Sequence, residues 1–251
     1  MDERELLSKR FRELANKSYN SGIYIFTDFL GLAEEAIFNE TKKDFIGVKY
    51  TQFGGAPKAE RKIVRFGDAE SLGYTEDFPI VCIKAEPVSQ KFADKLTHRD
   101  FLGAILNLGI ERSKLGDIPI LDNVGYIFVK EEIAPFILAE LRKVKHTDMK
   151  LSVVSSLPEG ELYKTARRKI QAVGERIDAV VAKVFNLSRE EAKSLFLKRL
   201  VFTDGRLCEN TSYIPKENEV ISVRGHGRFI YLGYETTTKK GKLNIEVEVY
   251  V

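Results

Sequence analysis

The stretch RIDAVVAKVFNLSREEAKSLFLKRLVFTDGRL at residues 176–207, followed by EVISVRGHGRF at 219–229, decides the fold of the C-terminal third. Two amphipathic patterns predict a helix beginning at Arg176 and a second from Arg189 to about Lys198. Ser188 and Glu191 open the second helix as a capping box. An Asp-Gly turn and alternating apolar residues then predict short strands. A unit this small, with a polar surface rich in Arg and Lys, suits phosphate binding better than catalysis.

Composition describes a soluble globular protein of one to three domains. The 251 residues are 43% hydrophobic and 31% charged, and no apolar run is long enough for a membrane helix. The charged N-terminus lacks the apolar core of a secretory signal. Cys82 and Cys208 stand alone and only three histidines occur. These counts argue against disulfides and metal or cofactor sites and favour reduced thiols in a cytoplasmic protein.

The charge of the chain is unevenly placed. Residues 159–251 carry 17 Lys and Arg against 13 Asp and Glu, a net charge of +4, whereas the rest of the chain carries −1. This asymmetry is compatible with a C-terminus that binds nucleic acid.

Hydrophobic periodicity predicts an α+β chain with four segments. We expect an N-terminal α/β domain at 1–74, an RRM-like middle domain at 75–158, a basic linker at 159–169 and the C-terminal unit at 170–251. The middle domain reads as β-α-β-β-α-β, the split βαβ plan. Its predicted strands are Ile80–Ala85, Ile118–Leu121, Val124–Val129 and Met149–Val154, and its predicted helices are Thr97–Asn107 and Glu131–Val144.

Two features of the first 158 residues leave alternatives open. Tyr126 and Phe128 share one face of the third predicted strand, where aromatics of RNA recognition motifs stack on bases. Packing beneath a neighbouring domain explains them equally well. The basic turn GGAPKAERK at 54–62 reads as a solvated hairpin tip or as an auxiliary RNA contact.

The triplet His98-Arg99-Asp100 begins a predicted helix. Thr97 is a good N-cap, and Asp100 can complete a capping box or complement the helix dipole. Structural capping alone accounts for the triplet. The functional alternative is that His98 and Arg99 contact phosphate at the positive end of the helix.

The C-terminal unit supplies the other candidate RNA contacts. Arg189 and Lys193 are four residues apart and therefore neighbours on one helix surface. The full set in this unit is Arg176, Ser188, Arg189, Lys193, Lys198, Arg199, Arg206, Arg224 and Arg228.

Four motifs in order, Arg-Ile-Asp, Ser-Arg-x-x-Ala, Val-x-Thr-Asp-Gly and Val-Arg-Gly-x-Gly-Arg-Phe, resemble an S4 RNA-binding domain. The upstream LTHRDFLGAILNLGIERSKLGDI at 96–118 resembles the middle of the YlmH family of bacterial S4 proteins. This chain departs from the family pattern at Arg199, where Gly is usual, and at Asp204, where Asn is usual. Arg199 is expected to strain its turn while adding a phosphate contact, and Asp204 to weaken anion binding there.

The resemblance implies a C-terminal S4 domain after an RRM-like middle domain. It also implies a protein that binds rRNA of the large ribosomal subunit, near tRNA or peptidyl-tRNA, in ribosome quality control and the rescue of stalled translation. Residues 1–158 contain no glycine-rich nucleotide loop, no zinc-ligand spacing and no nucleophile paired with a base, so we expect a non-enzymatic protein, and we expect a monomer. No cofactor, metal or membrane is expected. Two other hypotheses remain: an RNA-modifying enzyme of pseudouridine-synthase type that uses the S4 unit to deliver its substrate, and an interaction scaffold in cell division.

Overall fold

The chain divides into two compact units that both mix helix and sheet, which confirms the predicted α+β class. The N-terminal unit spans Met1–Leu162 and the C-terminal unit spans Tyr163–Val251. The computed structural model describes residues 3–154, 157, 162–163, 165–238 and 241–250. None of the helices in these ranges combines the length and the apolar character needed to cross a membrane.

The first part of the N-terminal unit packs helices on a small antiparallel sheet whose strand order is β1-β3-β2. Its elements are α1 Glu3–Ser21, β1 Ile25–Phe26, α2 Leu32–Thr41, β2 Tyr50–Phe53, β3 Ile63–Phe66 and α3 Ala69–Leu72. The core is aromatic: Phe11 of α1 and Phe66 of β3 are both fully buried and belong to one cluster with Phe38 of α2. Phe11 therefore attaches α1 to this sheet.

The second part of this unit has the split βαβ topology that the sequence predicts. Its elements are β4 Ile80–Pro87, α4 His98–Leu106, β5 Ile120–Leu121, β6 Val124–Lys130, α5 Ala134–Glu140, β7 Lys143–Val144 and β8 Thr147–Val153. The antiparallel sheet has the order β5-β6-β4-β8-β7. The predicted second helix stops earlier than expected, at Glu140, because residues 143–147 form a tight hairpin in which Val144 pairs with Thr147.

The expected domain boundary near residue 74 falls inside the N-terminal unit. The turn at 54–62, expected at a solvated hairpin tip, is docked on residues 112–117 instead. Asp117 accepts hydrogen bonds from the backbone N–H groups of Glu60 at 2.7 Å and Arg61 at 3.1 Å. The Arg61 guanidinium donates to the carbonyl oxygens of Leu115 at 2.8 Å and Phe29 at 2.9 Å. Buried backbone groups need such partners, and here they join the two parts.

The C-terminal unit is a two-layer structure of two helices on one face of a six-stranded sheet. Its elements are β9 Thr165–Ala172, α6 Ile177–Val184, α7 Arg189–Leu197, β10 Val201–Thr203, β11 Arg206–Leu207, β12 Val220–Val223, β13 Gly227–Thr237 and β14 Leu243–Tyr250. The strands are antiparallel in the order β11-β10-β12-β13-β14-β9. Val181 and Phe196 of the helices pack with Phe229 and Ile245 of the sheet.

Part of the segment expected to be a linker belongs to this sheet. Residues 165–169 lie in β9, which pairs along its whole length with β14 and places Ile170 opposite Ile245. Residues 159–161 and 164 of that predicted linker lie outside the described residues.

Candidate nucleic-acid interface

The centre of the candidate interface is a buried carboxylate that holds two arginines. The Asp178 side chain is fully buried in the first turn of α6. Arg176 donates to it through two nitrogens, Nε to Oδ1 at 3.1 Å and Nη2 to Oδ2 at 3.0 Å. Arg189 approaches the same Oδ2 with its Nε at 3.8 Å. One carboxylate therefore brings together arginines from the starts of two helices, and both guanidiniums remain partly open to solvent.

Helix α7 presents a further cation, Lys193, on the surface that carries Arg189. Ser188 forms the expected capping box: its backbone N–H donates to Glu191 Oε2 at 2.7 Å, and its Oγ accepts from the Glu191 N–H at 3.2 Å. These hydrogen bonds hold the pKa of Glu191 below its ordinary value. Ser188 thus serves the helix end, while Arg189 and Lys193, one turn apart, are exposed.

The C-terminal end of α7 carries a second group of cations. Lys198 and Arg199 are exposed, and Arg199 Nη1 lies 3.4 Å from Glu209 Oε1. Arg199 has φ of +57°, a left-handed conformation that favours glycine. Its departure from the family pattern therefore falls on a residue with real backbone strain. The exposed Arg224 lies nearby, because its backbone N–H donates to the Leu200 carbonyl at 2.9 Å.

Arg206 follows the predicted Asp-Gly turn. Asp204 and Gly205 have φ of +45° and +69°, and Asp204 Oδ1 accepts from the Val220 N–H at 3.0 Å. One carboxylate oxygen of Asp204 therefore stabilises the turn, although the residue is exposed. Arg206 pairs with Thr203 across the turn and is exposed on the edge strand of the sheet.

Arg228 lies apart from the helix-side arginines. Its neighbour Phe229 is fully buried against the helices, so strand alternation puts Arg228 on the opposite face of the sheet. There its guanidinium carbon is 3.9 Å from the ring centroid of Tyr250 and 5.4 Å from that of Tyr163. Cation–π contact with two tyrosines gives Arg228 a structural role.

In the N-terminal unit, His98 and Arg99 are exposed at the start of α4. The predicted cap is present, because Asp100 accepts from the Thr97 N–H at 2.8 Å and from its hydroxyl at 2.6 Å. The pKa of His98 lies below its ordinary value, first because neighbouring atoms partly desolvate the ring and then because Arg112 is close. A phosphate contact by His98 near neutral pH would therefore use a neutral N–H donor.

Tyr126 and Phe128 pack inside the N-terminal unit. Their exposed fractions are 7% and 1%. A Cβ atom added to Gly55 would overlap the Phe128 ring, so the turn at 54–62 covers this face of the sheet. Buried rings offer no platform for a base, and the packing alternative is the correct one.

The described residues show no metal centre. No three His, Cys, Asp or Glu side chains among them are grouped so that they could hold an ion. Cys82 and Cys208 are buried and free. Burial raises the pKa of Cys82 to about 12 and raises that of Cys208, so neither is an activated nucleophile at neutral pH.

Comparison with known proteins gives this arrangement a context. Residues 74–157 match the family model described as "Putative RNA-binding domain in YlmH". The chain is 26% identical to Ribosome-associated protein quality control protein P2 of Bacillus subtilis (strain 168), over 98% of this chain and 95% of that protein. The chain is thus similar to a ribosome-associated quality control protein along nearly its whole length, and its residues 74–157 are similar to the RNA-binding domain of YlmH. A solved structure, Cell division protein ylmH from Streptococcus pneumoniae, matches with 22% identity and a TM-score of 0.48, over 61% of this chain and 92% of that chain.

Asp178 is the residue of this interface that the sequence interpretation missed. In the sequence it stands only as the last member of the Arg-Ile-Asp motif. The nearby arginine was a weak signal, because a buried carboxylate needs a charged partner, but the sequence does not show that Asp178 is buried. The partnership with Arg189, eleven positions away, depends on how α6 and α7 pack.

Proposed function

We propose that the chain is a non-enzymatic RNA-binding protein that docks on structured rRNA of the large ribosomal subunit, near tRNA or peptidyl-tRNA, in the rescue of stalled translation. The observation that carries the proposal is the pair Arg176 and Arg189 held by the buried Asp178, with Lys193 one turn further along α7. Planar guanidinium groups match phosphate oxygens, and a fixed pair of them recognises two phosphates in one spatial relation.

The other helix-side cations extend this surface. Lys193, Lys198, Arg206 and Arg224 are exposed, and none of them makes an ion pair within the described part of the chain. Their charges are available to replace the counterions of RNA phosphates. Contacts of this kind recognise the shape of folded RNA rather than base sequence. We assign Arg228 a supporting role through its tyrosine contacts.

Two further arguments support a ribosomal target. The Bacillus subtilis relative, which matches over nearly the whole chain, is named for ribosome-associated protein quality control. The N-terminal unit also offers His98 and Arg99 as a second RNA contact, apart from the C-terminal set. Two RNA-binding surfaces on one chain raise affinity through effective concentration.

Co-sedimentation with purified large ribosomal subunits tests this function. The variant Arg189→Glu with Lys193→Glu is compared with Arg10→Glu and Lys17→Glu, which makes the same charge change at exposed positions of α1. We expect the first variant to lose roughly tenfold or more in affinity and the second to bind as the unchanged protein does. The affinity of the unchanged protein should fall roughly 10³-fold between about 50 and 200 mM salt if about six phosphates are neutralised.

Equal binding by both variants would refute the proposal. Altered nucleosides in rRNA or tRNA after incubation with the purified protein would instead support the RNA-modifying enzyme.

A further inference from the structure

A basic groove lies in the N-terminal unit beside α4. Its volume is about 530 Å³, and it runs between α4 and the segment that joins α5 to β8. We call it the α4 groove and define it by Arg99, Gly103, Asn107, Arg142, Lys143 and Lys145, which line it. Arg99, a predicted RNA contact, is thus one of four cations around a single depression, whereas His98 is not among the lining residues.

The α4 groove has an excess of positive charge. Asp100 and Glu140 are its acidic lining residues, against four basic ones. Asp100 is occupied, because it caps α4 and pairs with Lys145 Nζ at 2.9 Å. The guanidinium groups of Arg99 and Arg142 are exposed and make no ion pair within the described ranges of the chain. Lys143 pairs with Asp148 at 3.4 Å, so Arg99 and Arg142 stand against Glu140 alone, and this excess of positive charge favours a negatively charged ligand.

The hairpin at one side of the groove is fixed in place. Lys145 has φ of +54° and donates from Nζ to the Lys95 carbonyl at 3.2 Å as well as to Asp100. The adjoining His146 donates its backbone N–H to Asp94 Oδ2 at 3.2 Å. A lysine in a left-handed position is strained, yet these contacts hold its ammonium group at the rim. The cations are therefore presented by a fixed backbone.

The floor of the groove is open because residue 103 is glycine. A Cβ atom added there meets nothing within 4 Å, so packing does not require glycine. A small side chain at position 103, glycine or alanine, leaves this space open to a ligand, whereas a long side chain would occupy it.

We infer that the α4 groove binds the sugar–phosphate backbone of an RNA strand. This inference rests on the proposed function in that the chain binds RNA, and it adds a site apart from the α6–α7 surface. The negative charge of RNA complements the groove, and its phosphates fit guanidinium forks. RNA is favoured over an acidic peptide because residues 74–157, which contain every groove residue, match a domain model described for RNA binding.

The decisive variant is Gly103→Glu in the full-length protein. The new carboxylate sits four residues after Arg99 on the same helix face, where it neutralises the guanidinium. Glutamate is also a better helix former than glycine, so folding is favoured. Two controls separate size from charge: Gly103→Ala adds only a methyl group, and Asn16→Glu adds one negative charge at an exposed position of α1.

Binding is measured by fluorescence anisotropy with a labelled single-stranded RNA of about twelve nucleotides and mixed sequence. We expect Gly103→Glu to weaken binding about tenfold and to lower the slope of log affinity against log salt by about 0.7, the value for one single-strand phosphate. Gly103→Ala and Asn16→Glu should bind as the unchanged protein does. In the Arg189→Glu, Lys193→Glu background, Gly103→Glu should weaken the remaining binding by a further factor of about ten.

Equal RNA binding by Gly103→Glu and Gly103→Ala would overturn the groove assignment. The assignment would also be overturned if Gly103→Glu weakened the binding of a labelled poly-glutamate peptide and left RNA binding unchanged. Failure of the proposed function has a different signature: the Arg189 and Lys193 reversal then leaves large-subunit binding intact while the groove variants still change short-RNA binding.

Discussion

The substitution Asp178→Asn tests whether the buried carboxylate organises the interface. Asparagine keeps the shape and can still accept the Ala179 N–H that Asp178 Oδ1 accepts at 2.9 Å. It cannot serve as a charged two-oxygen acceptor for Arg176. Two charge-assisted hydrogen bonds to a fully buried group contribute about 1.5–3 kcal/mol each, discounted here because Arg176 is 42% exposed. We expect a loss of about 2 kcal/mol in the free energy of unfolding, or about 10 °C in the Tm of the C-terminal unit Tyr163–Val251.

The same substitution should weaken RNA binding although it makes the protein more positive. Ordering a long side chain on binding costs about 0.5–1.5 kcal/mol, and Asp178 orders both Arg176 and Arg189 in advance. Releasing both costs about 1–3 kcal/mol, so affinity should fall about tenfold or more. Calorimetry gives the change in Tm, and large-subunit binding at fixed salt gives the change in affinity.

The matched control is Glu190→Gln. It removes the same charge one residue after Arg189, but Glu190 is exposed and makes no ion pair among the described residues. The control should bind RNA as well as the unchanged protein or slightly better. The reasoning is refuted if Asp178→Asn binds RNA as Glu190→Gln does while the protein remains folded.

Three further predictions concern single residues. Arg199→Gly should raise the free energy of unfolding by up to about 1 kcal/mol by relieving the left-handed strain at φ +57° and should weaken RNA binding; a lower Tm would contradict this. Gly55→Ala should destabilise the N-terminal unit by about 3 kcal/mol, because its methyl group would overlap the Phe128 ring, and unfolding by urea measures it. The pKa of His98 measured by NMR should lie below 6.5. The unfolded state then binds the proton at a higher pH than the folded state, so the free energy of unfolding should decrease as pH falls from about 6.5 through the folded pKa and should not depend on His98 above about pH 6.5. A measured midpoint above 6.5 would contradict this prediction.

Local patterns predicted the elements of this fold well. The split βαβ order followed from period-two strands and capped helices, and the capping boxes at Thr97 and Ser188 both formed. The end of α5 was misplaced because Val144 of β7 continues the helical spacing of Ile137 and Leu141, and only the pairing of Val144 with Thr147 shows the hairpin. A short apolar run alone does not distinguish a helix from a strand.

Long-range packing decided what the sequence left open. The basic turn at 54–62 has the composition of a solvated loop, yet Asp117, more than fifty residues later, fixes its backbone. Arg228 stands in the same motif as Arg224, but strand alternation turns it to the other face of the sheet. Likewise Arg99 and Arg142 meet at one groove only because α4 lies beside β7. A sequence motif therefore identifies candidate RNA-binding cations but does not show which of them lie on the same surface.

The most direct test of the central claim is photo-crosslinking from defined positions to purified large ribosomal subunits. p-Benzoylphenylalanine replaces Lys193 on α7 or, as a control, Arg167 on β9, which strand alternation places on the sheet face opposite the helices. The account predicts crosslinks from position 193 to one structured segment of rRNA and none from position 167. Crosslinks from 167 alone, or from 193 only to ribosomal protein, would contradict it.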